Sequence, residues 1–157
     1  MEVWRPKSLP RTGGALTLGE RPQVAVGAVV QRDNELLLVR RATAPDVGAW
    51  TLPGGRVEHG ELLAEAVIRE LREETGVVGV CSNQVGIAEL LPDSAGTRAH
   101  YVVVDFQVTL LDPHQEPQAG SDVSDARWVP VWDVAALDLT PGLAEFLSAN
   151  EIIDTIA

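Results

Sequence analysis

From Gly55 to Val77 the chain runs Gly55, five residues, Glu61, seven residues, then Arg69-Glu70-Leu71-Arg72-Glu73-Glu74-Thr75-Gly76-Val77. Few folds have room for such a stretch, because three carboxylates fall within about one helical turn beside apolar residues. On a helix advancing roughly 100° per residue, Glu70 and Glu74 lie about 40° apart, and Glu73 lies about 60° to the other side of Glu70. Seven residues make nearly two turns, so Glu70 sits under the azimuth of Leu63 and Glu74 under that of Val67, with Leu71 and Ala64 continuing the apolar stripe. The acids therefore extend the core-facing side of the helix. The competing explanation is an acidic surface helix steadied by pairs such as Arg69 with Glu73, and it leaves the shared arc unexplained.

Like charges gathered this closely and partly withdrawn from water repel each other or take up protons. A divalent cation removes the conflict. Oxygen ligands without a Cys or His cluster point to magnesium, with manganese as a substitute, bound incompletely so that waters and substrate oxygens fill the remaining positions. Magnesium held by a few carboxylates usually works on phosphates.

The whole string resembles the Nudix box, the signature of the Nudix hydrolase family, and matches its glycine, its glutamate and its Arg-Glu-Leu-x-Glu-Glu-x-Gly at every fixed position. Fixed spacing over that many positions is far more specific than a lone glycine motif. The resemblance implies an α/β fold, a Nudix-type α/β/α sandwich with a mixed central β-sheet. It also implies hydrolysis of a nucleoside diphosphate linked to some other group. Beyond the box, the likeness to the fold extends more loosely from about Val24 to Leu147. Carried over by position, the Gly55 carbonyl with Glu70, Glu73 and Glu74 would hold the metal. Arg69 would orient the glutamates through charge-assisted hydrogen bonds, and Glu61 would support the helix N-terminus. One departure is Leu62, where family members often carry Ser or Thr, so the helix entry is expected to be less well capped.

Outside the box, family members often draw a further acid from a loop, as base or extra ligand. Asp122 and Asp125 are the candidates, and both could equally be turn-forming caps. They join Glu70, Glu73, Glu74 and Arg69 as the expected catalytic set. His59 is tempting as a base, but a loop histidine is more often merely solvated. The stretch from Arg40 through Trp50 to Gly55, and the run at 120 to 130, look like the ADP-ribose pyrophosphatase subgroup. Pro92, fifteen residues after Val77, fits a proline associated with that subgroup and fits an ordinary turn equally well. Arg40, Trp50 and Tyr101 are the substrate-contact candidates, with Trp50, Tyr101 or Phe106 able to stack an adenine. Aromatics are only 4% of the chain, so the core also wants them, Phe106 above all.

At 157 residues and 45% hydrophobic content, the chain fits one domain with a sizeable core. A net charge of −11 argues against binding a nucleic-acid polymer, which requires a basic surface. A small polyanionic nucleotide can still bind where metal ions cover the local carboxylates. The single cysteine, Cys81, has no internal disulfide partner and sits among apolar neighbours, which suggests a small core residue in a reducing cytoplasm. No apolar run approaches membrane-spanning length, and residues 1 to 7 lack a signal-peptide core.

Residues 1–22 are read as an N-terminal extension, broken by Pro and Gly, that could be flexible, contribute an edge strand through Leu16 to Leu18 or pack on a partner. Residues 23–157 are read as the hydrolase domain. Strands are expected at Val24 to Val30 and Leu36 to Val39, joined by an Asp33-Asn34 turn, and at Trp50 to Leu52, Val77 to Leu90, Tyr101 to Leu111 and Ala126 to Trp132. A closing helix is expected over Pro141 to Ser148, with proline in its first turn. The resemblance also suggests a homodimer.

The expected reaction is metal-dependent cleavage of ADP-ribose to AMP and ribose 5-phosphate. The alternatives are pyrophosphohydrolysis of nucleoside triphosphates, oxidised ones included, and a nucleotide-sensing module without turnover.

Overall fold

The computed structural model describes residues 21–96 and 98–154, so the expected role of residues 1–20, including the Leu16 to Leu18 strand, lies outside the described residues. Strand β1 (Gln23–Arg32) is apolar on both sides because it runs through the middle of the molecule. Val26, Ala28 and Val30 point to one face, and Val29 points to the other. A tight turn at Asp33-Asn34, with Asp33 in the left-handed region at φ 48°, leads into β2 (Glu35–Arg41). The hairpin closes with Arg32 opposite Glu35.

Strand β3 (Trp50–Thr51) pairs with β2. The glycine stretch after β3 contributes a strand of its own, β4 (Gly54–Arg56), which lies antiparallel to β1 with Gly54 opposite Gly27. Helix α1 (Leu63–Thr75) follows, then β5 (Gly79–Leu90), β6 (Tyr101–Leu110) and β7 (Val123–Pro130). A short 3-10 turn at Val134–Ala136 precedes helix α2 (Leu143–Ala149). The main strand order is β3-β2-β1-β6-β5, with β4 also on β1 and β7 on β2. Strands β1 and β6 run parallel and the other pairs antiparallel, which makes the sheet mixed.

Two cores lie on opposite faces of this sheet. Under α1, Ala66, Val67 and Leu71 pack on Val26, Ala28, Val30, Leu37 and Val108. Under α2, Leu143 and Leu147 pack with Val29, Leu36, Leu38, Trp50 and Leu52. The α/β/α sandwich is thus built by apolar residues that alternate along β1 and β2.

Most element bounds shift from expectation by one to three residues, and three departures have a clear local cause. Strand β7 begins at Val123 because its pairing with β2 reaches Arg41 past a register shift, and it ends at Pro130. Pro141 stands before α2 instead of in its first turn, because Gly142 adopts the left-handed region at φ 81° and the helix starts only at Leu143. The entry of α1 is capped in spite of Leu62. That side chain accepts nothing, but the Glu65 carboxylate accepts the Leu62 N–H at 3.1 Å, an acid in the first turn where helix polarity favours it. The helix ends at Gly76, left-handed at φ 73°, whose N–H returns to the Arg72 carbonyl.

Candidate functional site

The turn into β4 and the last two turns of α1 meet edge to edge. Gly55 lies so close to α1 that a Cβ there would sit 2.5 Å from the Glu70 carboxyl group. The Gly54 N–H donates to Glu74 Oε2 at 3.0 Å. A side chain on Gly54 would itself collide with the Val26 carbonyl, so both glycines are demanded by close packing. Gly55→Ala should therefore push Glu70 out of place. Turnover should fall roughly a hundredfold with the protein still folded, as checked by steady-state rates beside circular dichroism.

The three acids differ in surroundings. The Glu70 and Glu74 side chains are half-buried, whereas Glu73 is 49% exposed at the rim, so only two of the trio turn inward as the helical arc suggested. Burial pushes Glu74 up to about 8, aided by the charges of Glu70 and Asp122 and opposed by the Gly54 N–H and by Arg41. Burial likewise raises Glu70, outweighing the pull of Arg69.

Arg69 is the hub of the cluster. Its guanidinium donates to Glu61 at 2.6 and 3.0 Å, to Glu70 at 2.8 Å, to Glu73 at 3.2 Å and to the Arg56 carbonyl at 3.1 Å. Hydrogen bonding to Glu61 holds Arg69 above its ordinary value, and the same bond, with the Glu58 N–H, pulls Glu61 down to about 2. Glu61 thereby ties the helix to the preceding loop.

The loop acids separate. Asp122 is exposed, sits in the left-handed region at φ 64°, and acts on Glu74 through space. Asp125 pairs with Arg127 at 2.7 Å, accepts the Ala126 N–H and lies opposite Arg40 in the pairing of β7 with β2. Both acids are thus placed near the end of β2, and Asp122 is the one sensed by the cluster.

The other sequence candidates spread out. Trp50 is only 9% exposed in the α2-side core, with the Arg127 guanidinium 5.5 Å from its ring centre, so packing and not a ligand occupies it. Phe106 packs against the α1-side core. Tyr101 is half-buried at the start of β6. Arg40 is exposed and donates to the Gly48 carbonyl at 2.9 Å. His59 is exposed in the loop before α1. Cys81 is half-buried against the α1-side core, where burial pushes its thiol up.

The donor set suits a hard cation: carboxylates and a backbone carbonyl, with no thiolate or imidazole. The glycine cradle against Glu70 and the burial that raises Glu74 both fit a positive ion beside these acids. Among the described residues no three ligating side chains already converge. Arg69 and the Gly54 N–H occupy the carboxylates instead.

A two-helix sandwich on a mixed sheet, with a glycine turn abutting an acid-bearing helix, defines the Nudix class of proteins. The chain belongs to the Nudix family, whose NUDIX domain matches residues 21–149. It is similar to an ADP-ribose pyrophosphatase from Methanocaldococcus jannaschii, 36% identical over 107 residues covering 68% of this chain and 61% of that protein. The chain thus matches less than two thirds of that relative's length. Among solved structures it resembles a MutT NUDIX hydrolase from Burkholderia pseudomallei, at 28% identity and TM-score 0.70 over 82% of this chain and 98% of that one. It also resembles the NUDIX domain of Shewanella oneidensis NrtR solved with ADP-ribose, at 30% identity and TM-score 0.69 over 85% of this chain and 89% of that one. Among the described residues no helix is long and apolar enough to cross a membrane.

Proposed function

We propose that the chain hydrolyses the diphosphate bond of a nucleoside diphosphate derivative in a metal-dependent reaction, with ADP-ribose as the substrate and AMP and ribose 5-phosphate as products. The observation that carries this reading is the half-buried Glu70–Glu74 pair pressed against the Gly54-Gly55 turn, an arrangement costly in like charge unless a cation and a phosphate chain complete it. Glu70, Glu73, Glu74 and the Gly55 carbonyl would hold magnesium or manganese. When bound, the metal supplies positive charge to the diphosphate oxygens and makes a water molecule more acidic.

The chain's own residues do the rest. Arg69 holds Glu61, Glu70 and Glu73 close to the glycine turn, so the acids stay near the positions from which they would take up the metal. Gly54 and Gly55 leave the backbone bare for close approach of a phosphate. A carboxylate near the attacking water, from the helix or from Asp122, takes its proton. The choice of ADP-ribose rests on the likeness to the Methanocaldococcus jannaschii pyrophosphatase and on the NUDIX domain solved with ADP-ribose.

The test is incubation with ADP-ribose, other nucleotide sugars and nucleoside triphosphates, oxidised dGTP among them, with products identified. AMP with ribose 5-phosphate in magnesium, and none after chelation, is the expected result. Cleavage of triphosphates alone would transfer the assignment to pyrophosphohydrolysis of nucleoside triphosphates. Tight binding of ADP-ribose without any cleavage in either metal would make the chain a sensor.

A further inference from the structure

Two polar residues are buried among the described ones, Thr75 and Asp105. Thr75 is satisfied, its hydroxyl donating to the Leu71 carbonyl and accepting the Val77 N–H. Asp105 is not. It is 4% exposed, burial pushes it up to about 7, and among the described residues no donor or cation acts on it. Among the described residues no fully enclosed side-chain oxygen lacks a partner, so the carboxyl of Asp105 must touch solvent through a crevice.

Its place in the sheet is as unusual as its burial. The register sets Gly54 opposite Gly27, Gly27 opposite Asp105, and Asp105 opposite Gly86. Asp105 is therefore the sole side chain in a four-strand row of glycines. Its Oδ1 leans over Gly27, where any Cβ would collide with it, on the sheet face where Leu52 also lies. Strands about 4.8 Å apart put Asp105 roughly 10 Å from Gly54, whose N–H holds Glu74. The next row on the same face holds Arg56, Ala25, Val103 and Ala88. Farther along, a cleft of about 460 Å³ opens between the end of β5 and Pro141-Gly142, with Arg98 in its wall.

We propose that Asp105 is a specificity-determining residue that contacts the base of the substrate's nucleoside half, with the glycine row as the floor beneath it. This rests on the diphosphate-hydrolase reading above. Two strand spacings from the Glu74 turn is the reach from a diphosphate, across a ribose, to a base. A carboxyl that is protonated near neutrality both donates and accepts, matching adjacent donor and acceptor atoms on an adenine edge. Burying a polar group without a partner is costly, and a ligand that completes it explains why an acid stands where Val or Ala would pack more cheaply.

The test uses the full chain with its Asp carboxyl carbons labelled, titrated by NMR alone, with AMP and with ribose 5-phosphate. AMP should move the Asp105 resonance and its titration midpoint, and ribose 5-phosphate should move neither. In Asp105→Val, which offers neither donor nor acceptor, KM for ADP-ribose should rise on the order of tenfold while kcat changes less than about threefold, whereas Asp105→Asn, which keeps one of each, should leave KM within about threefold. An Asp105 resonance and midpoint indifferent to AMP would overturn the proposal, as would an equal response to ribose 5-phosphate. A variant that loses kcat at unchanged KM would also overturn it, assigning Asp105 a structural part. If wild-type chain fails to cleave ADP-ribose yet AMP still moves Asp105, the base contact stands and only the hydrolase reading falls.

Discussion

Replacing Glu74 with Gln is expected to reduce turnover on the order of a thousandfold while leaving the metal-free protein as stable as before, or more so. Gln keeps the shape and keeps an oxygen to accept the Gly54 N–H, so the contact between α1 and β4 survives. What it removes is the anionic ligand. Glu74 stands at about 8 in the fold, above its ordinary 4.5. The native state therefore binds its proton more tightly than the unfolded chain does. Stability linked to Glu74 is fully present below about 4.5 and is lost as pH rises through about 8. Gln abolishes that loss. Thermal unfolding in chelator at pH 6 and pH 9 should show the variant gaining on wild type as pH rises. Glu73→Gln should lose activity similarly while the fold stays intact. Near-normal rates in either variant would remove the acids from the reaction.

The second large effect concerns Asp105→Asn and stability. The Asp105 carboxyl stands at about 7 against an ordinary 3.8, and the cause is burial, with no charged group contributing. An acid whose folded value is raised contributes most below its unfolded value, and the contribution drains away until pH passes the folded value. At about 1.4 kcal/mol per unit, a rise from 3.8 to about 7 corresponds to up to about 4 kcal/mol by pH 8. Asn does not ionise and escapes this loss. Denaturant unfolding of both proteins at pH 4, 5.5, 7 and 8.5 should show the variant's advantage growing to near pH 7 and then levelling. Other titrating groups are common to both proteins and cancel in the difference. A difference flat from pH 4 to 8.5 would mean that Asp105 finds a charge-stabilising partner in solution. Stability gained in Asp105→Asn, together with affinity lost in Asp105→Val, would mark this acid as retained for binding.

The strands and the long helix were legible because their patterns are local: alternating β-branched residues for β1 and β2, and a 3.6-residue stripe for α1. The short strand β4 was not, because Gly54-Gly55-Arg56 carries no strand propensity and is held there only by β1 and by the absence of side chains. Trp50 reads equally well as a stacking ring or a core ring, and only the packing of Leu38, Leu52 and Leu143 around it decides. Asp122 and Asp125 were indistinguishable in sequence. What separates them is the Arg127 partner of Asp125 and the left-handed backbone that places Asp122 within electrostatic reach of Glu74. The hub role of Arg69 was anticipated through the box resemblance, but its reach to Glu61 and to the Arg56 carbonyl depends on how the preceding loop folds back. Asp105 gave no signal, since an acid in the middle of Val-Val-Val-Asp-Phe reads as a solvent-facing strand position until the layer above it is known.

Helix α1 ends against the segment that carries Asp122. The Gln118 and Gly120 N–H groups donate to the carbonyls of Thr75 and Glu74, at 2.9 and 2.8 Å. Gly120 presses so tightly on the Glu73 carbonyl that no side chain fits there. The final turn of the helix is thus sealed by residues more than forty positions downstream. Transplanting the acid-bearing helix and its glycine turn into another scaffold would carry over the ligands without the clamp that fixes their last turn. Lengthening the chain anywhere between Gly120 and Asp122 would pull Asp122 out of step with Glu74 while leaving every residue of the box untouched.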